Sequence, residues 1–64
     1  MPIAIIHLME GRDDEKKARA IAAVTQALVE SLGVKPDSVG VILQEVPKTH
    51  WGIAGTPASA RKQG

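Results

Sequence analysis

Apolar residues fall into three patterns along the 64-residue chain. The first, Pro2-Ile3-Ala4-Ile5-Ile6-His7-Leu8-Met9, is rich in β-branched side chains and shows little polar alternation. A short, nearly continuous run of this kind predicts a strand buried on both faces. Glu10-Gly11-Arg12-Asp13 breaks it. The second pattern is helical, over roughly residues 14–32. Ala18, Ile21, Ala22, Thr25, Leu28, Val29 and Leu32 recur at three- and four-residue steps and predict one apolar face. Lys16, Lys17, Arg19, Gln26 and Glu30 lie largely off that face. Asp13 or Asp14 is placed to cap the helix, and Asp14 and Glu15 suit the positive end of its dipole. Gly33 stands where a left-handed C-cap belongs. Lys35-Pro36-Asp37-Ser38 predicts a turn, since Pro fixes φ and Asp and Ser satisfy local backbone groups. The third pattern, Val39 to Val46, predicts a second strand that Pro47 ends. Lys48 to Gly55 is short, punctuated by Gly, and suits a small hairpin or a bulged edge. Thr56 to Gly64 reads as a loosely ordered tail unless another subunit holds it.

The order strand, helix, strand predicts a single α/β domain over residues 1–64. It is one β-α-β unit with two parallel strands, one long helix and a short C-terminal hairpin. The crossover between parallel strands is right-handed. One helix covers one face of a two-stranded sheet, yet both strands are apolar on both faces. The bare face therefore demands another subunit, and the expected state is an oligomer. Size points the same way. At 6.8 kDa, with Ala supplying nine of its apolar residues, the chain has a small core. With no Cys and only His7 and His50, disulfides, thiol catalysis and a structural metal are not expected.

Net charge is +1, from 8 basic and 7 acidic residues, so the basic stripe of a phosphate-backbone binder is missing. One Trp and no Phe or Tyr leave no base-stacking platform. No apolar run approaches a membrane span, and the N-terminus has no secretory leader. The expectation is a soluble cytoplasmic protein with neither nucleic acid nor membrane as partner.

Candidate chemistry begins at Pro2. Removal of Met1 leaves a secondary amine at the chain start, and an α-amino group titrates at about 7.7–8.0. An apolar pocket or a neighbouring cation lowers that value, giving a general base that works near neutrality. The alternative is that Pro2 merely opens a strand, where its missing N–H costs nothing. Arg12, in the strand-to-helix loop, either binds a carboxylate bidentately or is solvated. His7 reads as a hydrogen-bonded core histidine. Trp51 is either the packing anchor of the C-terminal segment or the wall of a pocket.

Taken together, Pro2-Ile3-Ala4-x-Ile6-His7-x-x-Glu10-Gly11-Arg12-x-Asp14-Glu15-x-Lys17 resembles the start of the 4-oxalocrotonate tautomerase family. Thr49-His50-Trp51-Gly52-Ile53-Ala54-Gly55 resembles that family's His-Phe-Gly-Ile-Gly-Gly segment. The likeness spans essentially the whole chain. It implies small β-α-β subunits assembled as hexamers, trimers of dimers, that isomerise enolic 2-hydroxy acids without a cofactor. It implies that Pro2 takes a proton from an enol or dienol and returns it to another carbon, giving the conjugated ketone. Arg12, from a neighbouring subunit, would grip a substrate carboxylate. Trp51 would form the pocket wall, and Met9 and Ile53 match apolar lining positions. Well-known members carry a second arginine at the start of the second strand, where this chain has Gly40. The expected substrate is 2-hydroxymuconate-like or arylenolpyruvate-like, and that departure counts against a diacid such as 2-hydroxymuconate as the best one. Ile53 stands where dehalogenase branches carry an acidic residue, which argues against hydration or dehalogenation. Two alternatives remain: a mixed hexamer in which a paralogous chain supplies the missing arginine, and a non-catalytic assembly subunit in which Pro2 is only a strand start.

Overall fold

A computed structural model describes residues 1–61. Strand β1 (Ile3–Met9) leads into helix α1 (Asp14–Leu32), and a single 3-10 turn (Pro36–Ser38) delivers the chain to β2 (Gly40–Val46). β1 and β2 pair in parallel, with Ile3 opposite Gly40, Ile5 opposite Ile42 and Met9 opposite Val46. A second 3-10 turn (Lys48–His50) precedes the antiparallel pair β3 (Gly52–Ile53) and β4 (Thr56–Pro57), and a third (Ala58–Ala60) ends the described chain. The predicted β-α-β unit and C-terminal hairpin are therefore both present. Among the described residues no helix is long and apolar enough to cross a membrane.

The helix boundaries follow from local chemistry. Asp13 is extended and its carboxylate accepts the Lys16 N–H at 2.8 Å. That contact satisfies one of the N–H groups a helix start leaves without an internal partner. At the other end Gly33 adopts φ 67°, which a Cβ would disfavour, and its N–H closes on the Val29 carbonyl.

The residues that α1 turns inward differ in part from the predicted stripe. Lys17, Ala20, Val24, Thr25, Leu28 and Val29 are half-buried. Ala18 and Ala22 are exposed, and Ile21 and Leu32 remain 40% and 57% exposed. Apolar side chains cover an arc of α1 wider than one sheet contact needs. The helix seats Ala20, Val24 and Leu28 on the sheet and leaves the neighbouring stripe outward. The last segment also departs from expectation. Thr56 and Pro57 form β4, and Ala58 donates its N–H to the Trp51 carbonyl at 2.7 Å. The hairpin thus folds back on the turn before it. Residues 62–64 of the expected tail lie outside the described residues.

The sheet has one covered and one bare face. Ala4, Ile6, Leu8, Val41 and Leu43 are half-buried, on the side towards α1. Ile3, Ile5 and Ile42, on the other side, remain 60%, 58% and 50% exposed. His7 is exposed on that same bare face, opposite Gln44, and its side chain has no hydrogen-bond partner among the described residues. Within one chain it is therefore not a core histidine, because the face it occupies has nothing packed on it.

A single chain falls well short of a folded monomer's compactness. Ala58, at 7% exposure, is the one buried hydrophobic residue among those described. The chain exposes 4922 Å², where a folded monomer of this mass exposes about 4000 Å². Its radius of gyration is 14.8 Å, with extents of 42 × 23 × 18 Å; a compact chain of this length has a radius of about 11 Å. The excess area is comparable to the roughly 800 Å² per partner of a standard protein–protein interface.

Candidate active site

Parallel pairing sorts the candidate residues by sheet end. Pro2 and Gly40 lie together where both strands begin. The Gly40 N–H donates to the Pro2 carbonyl at 2.9 Å, which ties the residue before β1 to the start of β2. Pro2 itself is half-buried, and Met1 beside it is 89% exposed. A Cβ built on Gly40 meets Ile3 Cγ1 at 3.6 Å, an ordinary van der Waals contact, so the position has room for a side chain.

Met9, Arg12 and the chain leading to Trp51 and Ile53 lie at the opposite end, where both strands finish. Gly11 turns the chain there with φ 119°, a value that favours glycine. The Glu10 N–H closes the turn on the Val46 carbonyl at 3.0 Å. Arg12 is exposed, and its Nη1 donates to the Met9 carbonyl at 3.3 Å. Trp51 is half-buried after the 3-10 turn at Lys48–His50. Ile53 pairs with Thr56 across the hairpin and is exposed. Ala54 and Gly55 at its tip have φ 53° and 84°, the positive values a two-residue type I′ loop requires at both positions.

One chain therefore does not assemble these residues around a single small molecule. The seven residues of β1 separate Pro2 from Arg12; at about 3.3 Å per residue that is roughly 23 Å. A general base must come within about 3 Å of the proton it moves. The Pro2 end and the Arg12 end can serve one substrate only when they come from different subunits.

Reading the sequence for its most apolar stripe missed Lys17. It is half-buried, and its Nζ lies 3.1 Å from Glu45 Oε2 on β2 and 3.6 Å from Asp14 Oδ1 on its own helix. The hydrogen bond to Glu45, reinforced by the negative charges of Glu45 and Asp14, holds the Lys17 amine above the ordinary lysine value of 10.5 despite partial desolvation. The signal was available. Residues 17, 20, 24 and 28 share the three- and four-residue steps of one helix face, and Glu45 follows Val41 and Leu43 at the two-residue step of a strand face.

Fold and sequence together define the class. The family model described as tautomerase enzyme matches residues 2–61, and the chain belongs to the tautomerase family. A probable tautomerase of Ralstonia nicotianae is 52% identical over 63 residues, covering 98% of this chain and 90% of that protein. The 2-hydroxymuconate tautomerase of Stutzerimonas stutzeri is 50% identical over 60 residues, covering 94% and 95%. Among solved structures, a 4-oxalocrotonate tautomerase isozyme of Methylibium petroleiphilum superposes with a TM-score of 0.90 at 46% identity, over 92% of this chain and 95% of that one. A heterohexamer 4-oxalocrotonate tautomerase of Chloroflexus aurantiacus gives 0.92 at 34% identity, over 97% and 100%.

Proposed function

We propose that the protein is a cytoplasmic keto–enol isomerase that converts an enolic or dienolic 2-hydroxy acid to its conjugated keto form, with the amine of Pro2 as general base and then general acid. Removal of Met1 frees that nitrogen. The amine takes the enol proton, holds it as the ammonium and delivers it to a carbon further along the conjugated chain. The net change is an isomerisation, with no proton gained or lost and no cofactor needed. Arg12, Trp51, Met9 and Ile53 stand at the other end of β1 and reach the Pro2 pocket from neighbouring subunits: Arg12 holds the substrate carboxylate, Trp51 walls the pocket, and Met9 and Ile53 line it. The apolar bulk of Trp51 favours the neutral amine, which is the form a base requires.

The observation that carries this reading is the separation of Pro2 and Arg12 at opposite ends of β1 in a chain that leaves one sheet face bare. A homo-oligomer, which we take to be a hexamer built as a trimer of dimers, covers that face and brings the two ends of different subunits together. Such a site has no second arginine at position 40, which favours a monoacid such as an arylenolpyruvate over a diacid such as 2-hydroxymuconate. A second reading, a mixed hexamer, draws support from the same glycine and from the heterohexameric relative of Chloroflexus aurantiacus. Strong diacid turnover that appears only after a paralogous chain is added would favour it.

The test is at the nitrogen of Pro2. Intact mass should show a chain lacking Met1, and the pH profile of kcat/KM should rise on a limb near or below neutrality that reports the free amine. Acetylating the N-terminus removes basicity without altering a side chain and should abolish turnover. Full activity in the acetylated protein refutes the role.

A further inference from the structure

Arg12 sits in an acidic stretch, with Glu10, Asp13, Asp14 and Glu15 all within three positions of it. Yet no carboxylate among the described residues lies within ion-pair distance of its guanidinium. Asp13 is engaged with the Lys16 N–H at 2.8 Å. Glu15 is held by Arg19 at 2.9 Å. Asp14 faces Lys17 at 3.6 Å. Glu45, which reaches this end of the sheet from β2, also turns to Lys17, at 3.1 Å. Arg12 is left with one carbonyl, that of Met9, at 3.3 Å. A guanidinium carries five N–H donors, so most of its bonding capacity is uncommitted.

Lys17 is the residue that takes carboxylates from both sides of the loop. The loop spans residues 10–13. One end is fixed by the Glu10 N–H on the Val46 carbonyl at 3.0 Å. The other is fixed where Lys17, in the first turn of α1, grips Glu45, the neighbour of Val46. Met9 and Val46 are register partners. The Glu10 N–H points to β2, so the Met9 carbonyl of the same planar trans peptide points the other way, and the Arg12 guanidinium that meets it lies on the outer side of β1.

We propose that Lys17 is a positioning residue for Arg12: by holding Glu45 it latches the β1–α1 loop to β2, and by holding Asp14 it keeps that carboxylate off the guanidinium, so that Arg12 stays in place and open to a substrate carboxylate. This rests on the reading of Arg12 as the carboxylate-binding residue. An Asp14 carboxylate released from Lys17 would compete for the donors that the substrate needs, and a loop unlatched from Glu45 would no longer hold those donors in one place.

The experiment measures kcat and KM on an arylenolpyruvate with the full chain, for Lys17→Gln, Lys17→Arg, Arg12→Ala and the double variant. Lys17→Gln should raise KM about 5- to 10-fold with kcat within about twofold, the signature of lost uniform binding. Lys17→Arg keeps the charge and should restore KM to within about twofold of the native value. In the Arg12→Ala background the Lys17→Gln step should change KM by less than about twofold, because a residue acting through another loses its effect when that other is gone. If Arg12→Ala raises KM and Lys17→Gln does not, the positioning role is overturned while the Arg12 reading stands. An equal effect of Lys17→Gln in both backgrounds also overturns it, by showing a general structural role. If Arg12→Ala leaves KM unchanged, the Arg12 reading fails and this one with it. Should Lys17→Gln not assemble, Glu45→Gln opens the same latch from the strand side, and the same loss of effect in the Arg12→Ala background is expected.

Discussion

Truncating Ile5 to Ala tests the link between assembly and activity. Ile5 projects from the bare sheet face beside its register partner Ile42, and 58% of it remains exposed in one chain. Complete burial of such a side chain is worth about 1.5–3 kcal/mol, so covering what one chain leaves bare contributes about 1–1.5 kcal/mol per subunit. In a hexamer the loss recurs six times and is distributed over five association steps. The subunit concentration at half-assembly should therefore rise roughly ten- to twentyfold. Sedimentation velocity over a dilution series reads the assembly, and turnover of an arylenolpyruvate at the same concentrations reads the site. The two midpoints should move together, because Pro2 and Arg12 of one chain stand too far apart to share a substrate. A Lys35→Ala control, altering an exposed side chain beside the 3-10 turn, should leave both midpoints in place. The reasoning is refuted if Ile5→Ala assembles at the native concentration, or if the dissociated chain keeps its full specific activity.

Gly40→Arg should fold, because the site for its Cβ offers only an ordinary contact with Ile3; steady-state kinetics should show diacid turnover rising while monoacid turnover changes little. No change in a protein that already prefers the diacid would move the mixed hexamer ahead. Ala54→Gly should stabilise the protein by about 0.5–1 kcal/mol, since a left-handed conformation costs a side chain about 1–2 kcal/mol and the added freedom of glycine in the unfolded chain takes back about 0.4–1; chemical denaturation at fixed subunit concentration measures it, and a loss of stability contradicts the turn geometry. The Lys17 amine is held above its ordinary value in the folded chain, so its contribution is complete below the unfolded lysine value and fades as pH rises through the folded one. Denaturation midpoints of native protein and Lys17→Gln should accordingly differ through neutral pH and converge on the alkaline side of about 10.5.

Much of the fold was legible in the residues. The Asp13 cap and the Gly33 stop bound the helix where side-chain and backbone chemistry require, and Pro47 closes β2 because it has no N–H for the ladder. The bare face was legible too, because isoleucines at 3, 5 and 42 have no place in a strand that faces water. The orientation of α1 was less so. Ala18, Ile21 and Ala22 are as apolar as Ala20 and Val24, and periodicity alone does not choose between two adjacent stripes. The stripe that faces the sheet brings Lys17 to Glu45, a contact between residues 28 positions apart that the periodicity of α1 alone does not show. His7 stands uncovered in one chain for a related reason. An apolar neighbourhood in sequence becomes a buried one only when something packs against it. Of the candidate site, the residue types and the order of the ends were legible, whereas the distance between those ends needed the strand to be built.

The placement of Pro2 and Arg12 at opposite ends of β1 also bears on inheritance. Under the shared-site reading each subunit lends its amine to one pocket and its guanidinium to another, so neither pocket belongs to a single gene copy. After a duplication, one copy can lose function at the start of β1 and the other at its finish, and the pair remains viable while neither survives alone. Substitutions at the two ends then drift under separate constraints, and subunits specialised in this way become dependent on each other. A seven-residue strand thereby separates two sets of mutations that a site built within one chain would force to be selected together.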